Sequence, residues 1–453
     1  MKKIAIIGGG AGGTLLAINL LSANPDEPIR IDLIEKRPEV GAGVAYSTLN
    51  DVHLLNVPAA KMGAFADNIE HFHNWLTLNG HAYEANSFVP RRIFGQYLRD
   101  CLKTAADKCN ETVVFNIHND EAVSIEPVEC GANIQLKSGT VIDADKVVLA
   151  FGNFLPPHPS VPDKSFASSP NYIREPWNNP VLDEIGEDDV VTIVGTGLSM
   201  VDVTMQLERR GHHGAINAIS TRGMLPAVHK LGFSYPSFAD ELDGKERITD
   251  ILKIVRRHAE KAADNGSDWR AVIDSLRPVT QKIWLGLPLA EKKYFMQHLS
   301  RYWNTARHRM APEAAKIMDE LRGTGQLQVL KGRLTWIGLD DTGNFDIRLS
   351  NIGIEQKLSS KYLINCIGSE SRFEAIDSPL VQNLLSTGQI RSDDLKFGLD
   401  ADIDGTLISA QGEKSDLLYT LGTALKGILW ESTAVPEIRF QARSLADKLI
   451  ADN

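Results

Sequence analysis

Cysteine is scarce in this chain of 453 residues, and its scarcity removes whole classes of chemistry. Cys101, Cys109, Cys130 and Cys366 are too few and too scattered for a disulfide framework. No C-x-x-C spacing occurs, so a redox-active dithiol is excluded. Positive charge is in deficit: 48 Lys and Arg stand against 58 Asp and Glu, a net charge of −10. Nucleic acid and anionic membrane are therefore poor candidates for the main partner, although a local basic pocket stays compatible with that balance. No run approaches the 18 apolar residues of a membrane span, and no low-complexity stretch is present. His71-x-His73 and His212-His213 lack further ligands and there is no HExxH, so no metal is expected. The opening MKKIAIIGGG has the lysines and apolar start of a signal peptide, but glycines end the apolar run after four residues. It reads as a buried strand, and a cytoplasmic location is expected.

What is present reads as an α/β protein with room for two or three domains. Lys3 to Ile7 is an apolar strand, Gly8 to Gly13 a glycine-rich turn, Thr14 to Leu21 a helix, and Ile29 to Ile34 a second strand ending at Glu35 and Lys36. Near residue 190 the same logic restarts. Val190 to Val194 is the strand, Gly195 to Met200 the turn, Val201 to Arg209 the helix, and Ala215 to Ile219 the next strand. Each unit closes alike: alternating stretches over 113–148 lead to VVLAFG, ending at Gly152, and 327–364 lead to LINCIG, ending at Gly368. The duplication argues for two Rossmann-like dinucleotide-binding domains with antiparallel meanders. The expected boundaries are 1–157 with 369–453 for one and 186–232 with 326–368 for the other. Between them, 233–325 carries apolar residues at three- and four-residue steps and reads as a helical insertion.

Gly8-x-Gly10-x-x-Gly13 lies between a strand and a helix, the context the dinucleotide fingerprint requires. Its glycines, Gly12 among them, leave room for a diphosphate at the helix N-terminus, where free N–H groups and the dipole favour anions. Glu35 follows about 20 residues later, where a carboxylate accepts hydrogen bonds from a ribose diol. In the second unit Gly195 and Gly197 keep the cradle, with Ser199 in the turn, while Met200 replaces the third glycine and should push the helix off the strand. Ser220-Thr221-Arg222 stands where the first unit has Glu35. An arginine there pairs with a 2′-phosphate that a carboxylate would repel. One acidic and one basic ribose site divide naturally into FAD and NADPH.

At this point the chain resembles the flavoproteins that include the flavin-containing monooxygenases and the ornithine and lysine N-hydroxylases. It is more specifically similar to a bacterial family of largely uncharacterised FAD/NAD(P)-binding proteins. That closer resemblance is carried by HLLNVPAAKM (53–62), GTGLSMVD (195–202), TRGMLPAVH (221–229), DWRAVIDSLRP (268–278), RHRMAPE (307–313) and WESTAVPEIR (430–439). It implies that Asn56, with Met62, Phe65 and Asp67 after it, looks like the run whose asparagine amide sits beside the reactive carbon of the flavin. An asparagine holding a loop turn is the plainer alternative. The F-x-G-x-x-x-H signature of the monooxygenases is not intact: Phe166, Ser168 and Tyr172 stand at its spacing.

Leu417 to Leu421 reads as the strand that returns to the flavin, ending at Gly422, with Thr423 where relatives have aspartate. A helix from about Ser432, with Pro436 early in it, would aim its N-terminus at the flavin, leaving Trp430 and Glu431 by the ring or the pocket mouth. Arg307-His308-Arg309 reads as either a carboxylate clamp or a solvated helix face, and the aromatic stripe of the insertion as core with a chance for Trp284 or Trp303 to reach a substrate. The expected activity is that of an NADPH-fed, FAD-dependent oxidoreductase, a hydroxylase of a small polar or heteroaromatic compound. Two alternatives stay open: a reductase with a quinone or protein acceptor, and a non-catalytic redox sensor. A homo-oligomer is compatible with all three.

Overall fold

The computed structural model describes residues 1–177 and 179–451. Asp452 and Asn453, the end of the first expected domain, lie outside the described residues. The first sheet has six strands in the order β16-β17-β7-β1-β2-β3. These are β1 (Lys2–Ile7), β2 (Ile29–Ile34), β3 (Val113–His118), β7 (Lys146–Leu149), β16 (Thr406–Ile408) and β17 (Lys414–Thr420). All pairings are parallel except that of β16 with β17. The last four residues of both β1 and β2 are buried, as expected of strands covered on both faces. A separate antiparallel meander, β4 (Ala122–Val128), β5 (Gly131–Leu136) and β6 (Val141–Ala144), precedes β7. Along β5 every second residue is buried, the period of a strand with one wet face.

Helix Ala11–Ser22 links β1 to β2 and is buried without interruption from Gly13 to Leu21. Helices Arg91–Lys108 and Val435–Ala451 cover it. Helix Val435–Ala451 begins three residues later than the expected start at Ser432, because Glu431 takes a left-handed backbone (φ 66°) that interrupts helical geometry ahead of it.

The second sheet repeats the plan with five parallel strands in the order β11-β10-β9-β15-β8. They are β8 (Tyr172–Ile173), β9 (Val191–Val194), β10 (Ile216–Ser220), β11 (Leu327–Lys331) and β15 (Tyr362–Asn365). Its meander is β12 (Arg333–Leu339), β13 (Phe345–Asn351) and β14 (Ile354–Ser360). Thus the first of the alternating stretches in each copy joins the main sheet, as β3 and β11, and the following three form the meander.

Among the described residues six helices, Ala239–Leu242, Ile248–Asp264, Trp269–Ser275, Thr280–Gly286, Leu289–His298 and Ser300–Arg307, build the insertion. They share a core with Trp430, which comes from the far end of the chain. Helix Pro312–Gly323 packs instead on helix Leu198–Arg209 and β11.

Candidate active site

Two glycine turns lie at corresponding places in the two sheets. Gly8 donates its N–H to Ile34 at 2.8 Å, and Gly195 donates to Ile219 at 2.8 Å. Ala150 N–H reaches Ile7 at 2.8 Å, and Cys366 N–H reaches Val194 at 2.7 Å. Gly8 and Gly195 take φ 111° and 110°, and a Cβ on either would collide with a carbonyl, of Ala150 or Cys366. Only glycine meets both demands. Gly10 and Gly197 then cap helices Ala11–Ser22 and Leu198–Arg209, so each helix N-terminus faces the turn with its free N–H groups.

The cradles differ at their third position. A Cβ on Gly13 would strike the Gly8 carbonyl, whereas Met200 is wholly buried in the second core. The first helical turn is looser there, as a larger side chain demands: Val201 N–H lies 3.3 Å from the Gly197 carbonyl, against 2.9 Å for Thr14 to Gly10. A Cβ on Gly12 would come only into ordinary contact with Ile438 and Leu421, side chains of helix Val435–Ala451 and the end of β17 that lie over the first turn.

Glu35 is 5% exposed at the end of β2. Its carboxylate accepts the Gly9 N–H at 2.7 Å and the Arg37 N–H at 2.9 Å, which fixes the turn and leaves lone pairs for a further donor. Beside it a cleft of about 430 Å³ is lined by Gly8, Lys36, Ala122, Phe154 and Leu380 among others. Lys36 is exposed and pairs loosely with Glu121 at 3.4 Å. In the second module Ser199 is half-buried in the first helical turn, and Arg222 is exposed just past β10. Gly152 and Gly368, at the matching strand exits, are exposed with open space around them. Thr423 donates to the Gly152 carbonyl at 2.6 Å, and the Gly422 N–H donates to Gln441 at 2.8 Å, joining the end of β17 to this edge.

The six segments 53–62, 195–202, 221–229, 268–278, 307–313 and 430–439 form one bonded network. His229 Nε2 donates to the Asn56 carbonyl at 2.9 Å. The Val228 carbonyl accepts from Arg270 at 2.6 Å. Arg309, 1% exposed, donates to Asp274 at 2.9 Å and to the Arg270 carbonyl at 3.2 Å. Two residues earlier Arg307 turns away and pairs with Glu431 at 3.2 Å, which also accepts the Trp303 indole N–H at 2.6 Å. Arg277 pairs with Glu437 at 2.7 Å. Arg439 closes the ring on the carbonyls of Lys61 and Gly63 at 3.1 and 3.0 Å, back in the segment that holds Asn56. Arg91 ties in the last segment, bonding the Leu54 carbonyl at 3.0 Å and Asp202 at 3.2 Å.

Burial shifts the titrating members of this network. Desolvation raises the Asp202 carboxyl to about 6 despite the nearby Arg91 cation. It lowers His53, which Arg91 also opposes, to about 4, and it lowers His229 to about 4. His229 is then neutral at pH 7 and bears its proton on Nε2, toward Asn56.

Residues 5–154 match the FAD-NAD(P)-binding family model. The matched segment spans the first glycine turn, Glu35 and the strands around them. The chain is 23% identical over 336 residues to an L-ornithine N(5)-monooxygenase of Burkholderia cepacia, covering 68% of each protein. Its fold is similar to that of the reduced ornithine hydroxylase of Pseudomonas aeruginosa (TM-score 0.62, 13% identity, 99% of both chains). It is also similar to the thioredoxin reductase of T. acidophilum (TM-score 0.54, 11% identity, 100% and 99% covered). The whole chain therefore has the two-dinucleotide-domain fold of flavoprotein oxidoreductases.

The first module carries the features that a dinucleotide needs. The glycine turn admits a diphosphate only while it lacks side chains, and Glu35 stands buried at the end of β2. Around the start of helix Val435–Ala451, Ser432 Oγ, Arg439 Nε and Gln441 Nε2 are buried without hydrogen-bond partners. A buried donor left so costs about 1–3 kcal/mol, and a carbonyl-rich ring edge offers acceptors to such donors.

Other expected residues divide. Trp430 packs among Trp284, Phe295 and Phe397 with ring centroids 5.0 to 6.1 Å away, on the insertion side of the loop rather than against a glycine cradle. Arg309 is neither a clamp nor a solvated face but a buried brace of the insertion, and Arg307 is half of an internal ion pair. Phe166 and Tyr172, at the spacing of the monooxygenase signature, stack edge-on at 5.1 Å, and Tyr172 bonds Asn365 at 3.2 Å, so this stretch braces the second sheet. Among the described residues no group of His, Cys, Asp or Glu is arranged to hold a metal ion, and no helix is long and apolar enough to cross a membrane. Arg91, Arg277, Glu437 and Arg439 were not singled out by sequence; they lie among ordinary surface-type charges, and only their common burial reveals them.

Proposed function

We propose that this chain is an NADPH-fed flavin monooxygenase acting on a small organic substrate. In this reading residues 1–157 and 369–451 hold FAD, residues 186–232 and 326–368 hold NADPH, and the helical insertion forms the substrate side. The observation that carries it is the closed network of six segments, which joins the Asn56 loop, the second nucleotide turn, the insertion and the start of helix Val435–Ala451. The relatives named above are monooxygenases of ornithine or a reductase of thioredoxin; the missing C-x-x-C pair favours the first chemistry over disulfide reduction.

FAD, when bound, supplies the acceptance of hydride from the nicotinamide and the activation of oxygen. The chain's own residues bind and orient. Gly8, Gly10 and Gly13 receive one diphosphate and Glu35 a ribose; Gly195 and Gly197 receive the other, with Arg222 opposite a 2′-phosphate. His229 is a positioning residue: its Nε2–H on the Asn56 carbonyl sets the loop and frees the Asn56 amide, which bonds no other described residue. Arg91, Arg309 and Arg439, whose side chains are largely buried, exclude water behind that loop. Anaerobic NADPH should bleach the flavin, and Asn56→Ala should then raise the fraction of NADPH lost to hydrogen peroxide about tenfold, the worth of one hydrogen bond of about 1.4 kcal/mol. Unchanged coupling would remove Asn56 from the reading.

A reductase with a quinone or protein acceptor is the second reading. The bracing role of Phe166 and Tyr172 favours it, because the stretch that bears the oxygenase signature in relatives is structural here.

A further inference from the structure

The helices of the insertion line a half-open cavity of about 560 Å³. That volume lies within the 300–1,000 Å³ typical of small-molecule sites. Six aromatic rings, Trp269, Trp284, Trp303, Phe295, Tyr302 and Trp430, stand in its wall among eleven aliphatic side chains. Arg256 is the single charged side chain among the lining residues, and no carboxylate is among them.

Three of the seven polar side chains in the wall are hydrogen-bonded within the protein, while Arg256 and Tyr302 are exposed and Trp269 is half-buried. Thr280 donates to the Leu276 carbonyl at 2.9 Å, Trp284 to the Gly427 carbonyl at 2.9 Å, and Trp303 to Glu431 at 2.6 Å. Trp430 differs: it is 8% exposed, its ring lines the cavity, and its indole N–H is buried without a partner. It is also followed directly by Glu431 and by the buried Ser432 at the start of the helix that meets the first nucleotide turn.

Resting on the flavoenzyme reading above, we infer that this cavity is the substrate pocket and takes an uncharged, fused-ring aromatic molecule bearing one hydrogen-bond acceptor, received by Trp430 Nε1. Such a ligand gains by stacking on indole faces and by burying apolar surface, about 25 cal/mol per Å². A zwitterionic amino acid or a diamine would lose its hydration and find no carboxylate in the wall, since Glu431 is already held by Arg307 and Trp303. The pocket thereby sets this chain apart from proteins that act on ornithine or cadaverine.

Quinoline and naphthalene have the same shape and differ in one ring-nitrogen acceptor, so the pair isolates the Trp430 bond. Titrated into the FAD-loaded protein and followed by tryptophan fluorescence, quinoline should bind about tenfold more tightly than naphthalene, and ornithine and cadaverine should give no saturable change. Trp430→Phe keeps the ring and should erase the tenfold difference. Leu252→Trp fills the cavity from helix Ile248–Asp264 and should abolish both signals while the melting temperature stays within a few degrees of the parent. Absence of quinoline binding, equal binding of the two bicyclics by the parent, or binding that survives Leu252→Trp overturns the proposal. The readout needs no turnover: quinoline binding without NADPH oxidation supports the pocket and counts against the enzymatic reading, whereas NADPH-driven hydroxylation of cadaverine with no quinoline binding does the reverse.

Discussion

Glu431 and Arg307 pair at 3.2 Å with side chains 7% and 11% exposed, and they join the C-terminal loop to the helical insertion. Glu431 does so from a left-handed backbone that a non-glycine residue adopts at a cost of order 1 kcal/mol. The surrounding bonds impose that geometry. Glu431→Gln should therefore destabilise by about 3 kcal/mol, because buried Arg307 loses its nearer carboxylate and keeps only Glu437 at 3.9 Å, which Arg277 already holds. Replacing both by apolar residues, Glu431→Leu with Arg307→Met, should recover much of the loss, since no unpaired charge remains. Chemical denaturation of the two variants checks this; a double variant as unstable as the single would mean that the indole bond from Trp303, and not the charge pair, holds the loop.

The glycine turn predicts a separation between folding and cofactor binding. At Gly10 a Cβ would meet nothing nearer than the Gly43 Cα at 3.5 Å, so Gly10→Ala fits the protein itself. It intrudes where a diphosphate would lie. The expected result is loss of bound FAD with the apoprotein's melting temperature unchanged. Gly13→Ala should instead fail to fold, because its Cβ meets the Gly8 carbonyl.

Arg222 is exposed past β10, where its charge serves no partner that is deeply buried. Arg222→Ala should raise the KM for NADPH roughly ten- to hundredfold, the worth of a charge-assisted bond of about 1.5–3 kcal/mol, and leave NADH nearly unaffected. Steady-state flavin reduction with each nucleotide measures it; equal losses would contradict the assignment of NADPH.

Acid stability follows from the buried histidines. His53 and His229 fall to about 4 in the fold, so between that value and the ordinary histidine value the unfolded chain holds more protons and stability is lost as pH falls. Asp202, raised to about 6, works against them: across about pH 6 to 4 the folded state holds the extra proton and is favoured by acid. Asp393, also raised to about 6, adds to Asp202, but burial lowers His71, His158, His212 and His308 as well, so the melting temperature should decline from pH 6.5 to 4. His229→Asn should flatten part of that decline, and an unchanged slope would show that His229 is protonated in the fold.

Much of this architecture was legible because its signals are local. Gly8, Gly13 and Gly195 must be glycine for backbone reasons, and the apolar strands around them carry their own pattern. The recurrence of a meander before Gly152 and Gly368 gave the duplication. The network was not legible, because Arg91, Arg277 and Arg439 look like surface charges until the fold buries them. Nor does any periodicity tell that Arg307 and Arg309, two residues apart, leave in opposite directions. The setting of Trp430 is hidden for a related reason: its distance from the insertion in sequence conceals that it completes the insertion's core.

The measurement that tests the central claim most directly is anaerobic mixing of the purified, FAD-loaded protein with NADPH, followed by a pulse of oxygen, with and without an aromatic substrate such as quinoline. The account predicts that NADPH bleaches the flavin, and that substrate lowers the hydrogen peroxide released per NADPH while a hydroxylated or N-oxidised product appears. A flavin that NADPH leaves oxidised would contradict it.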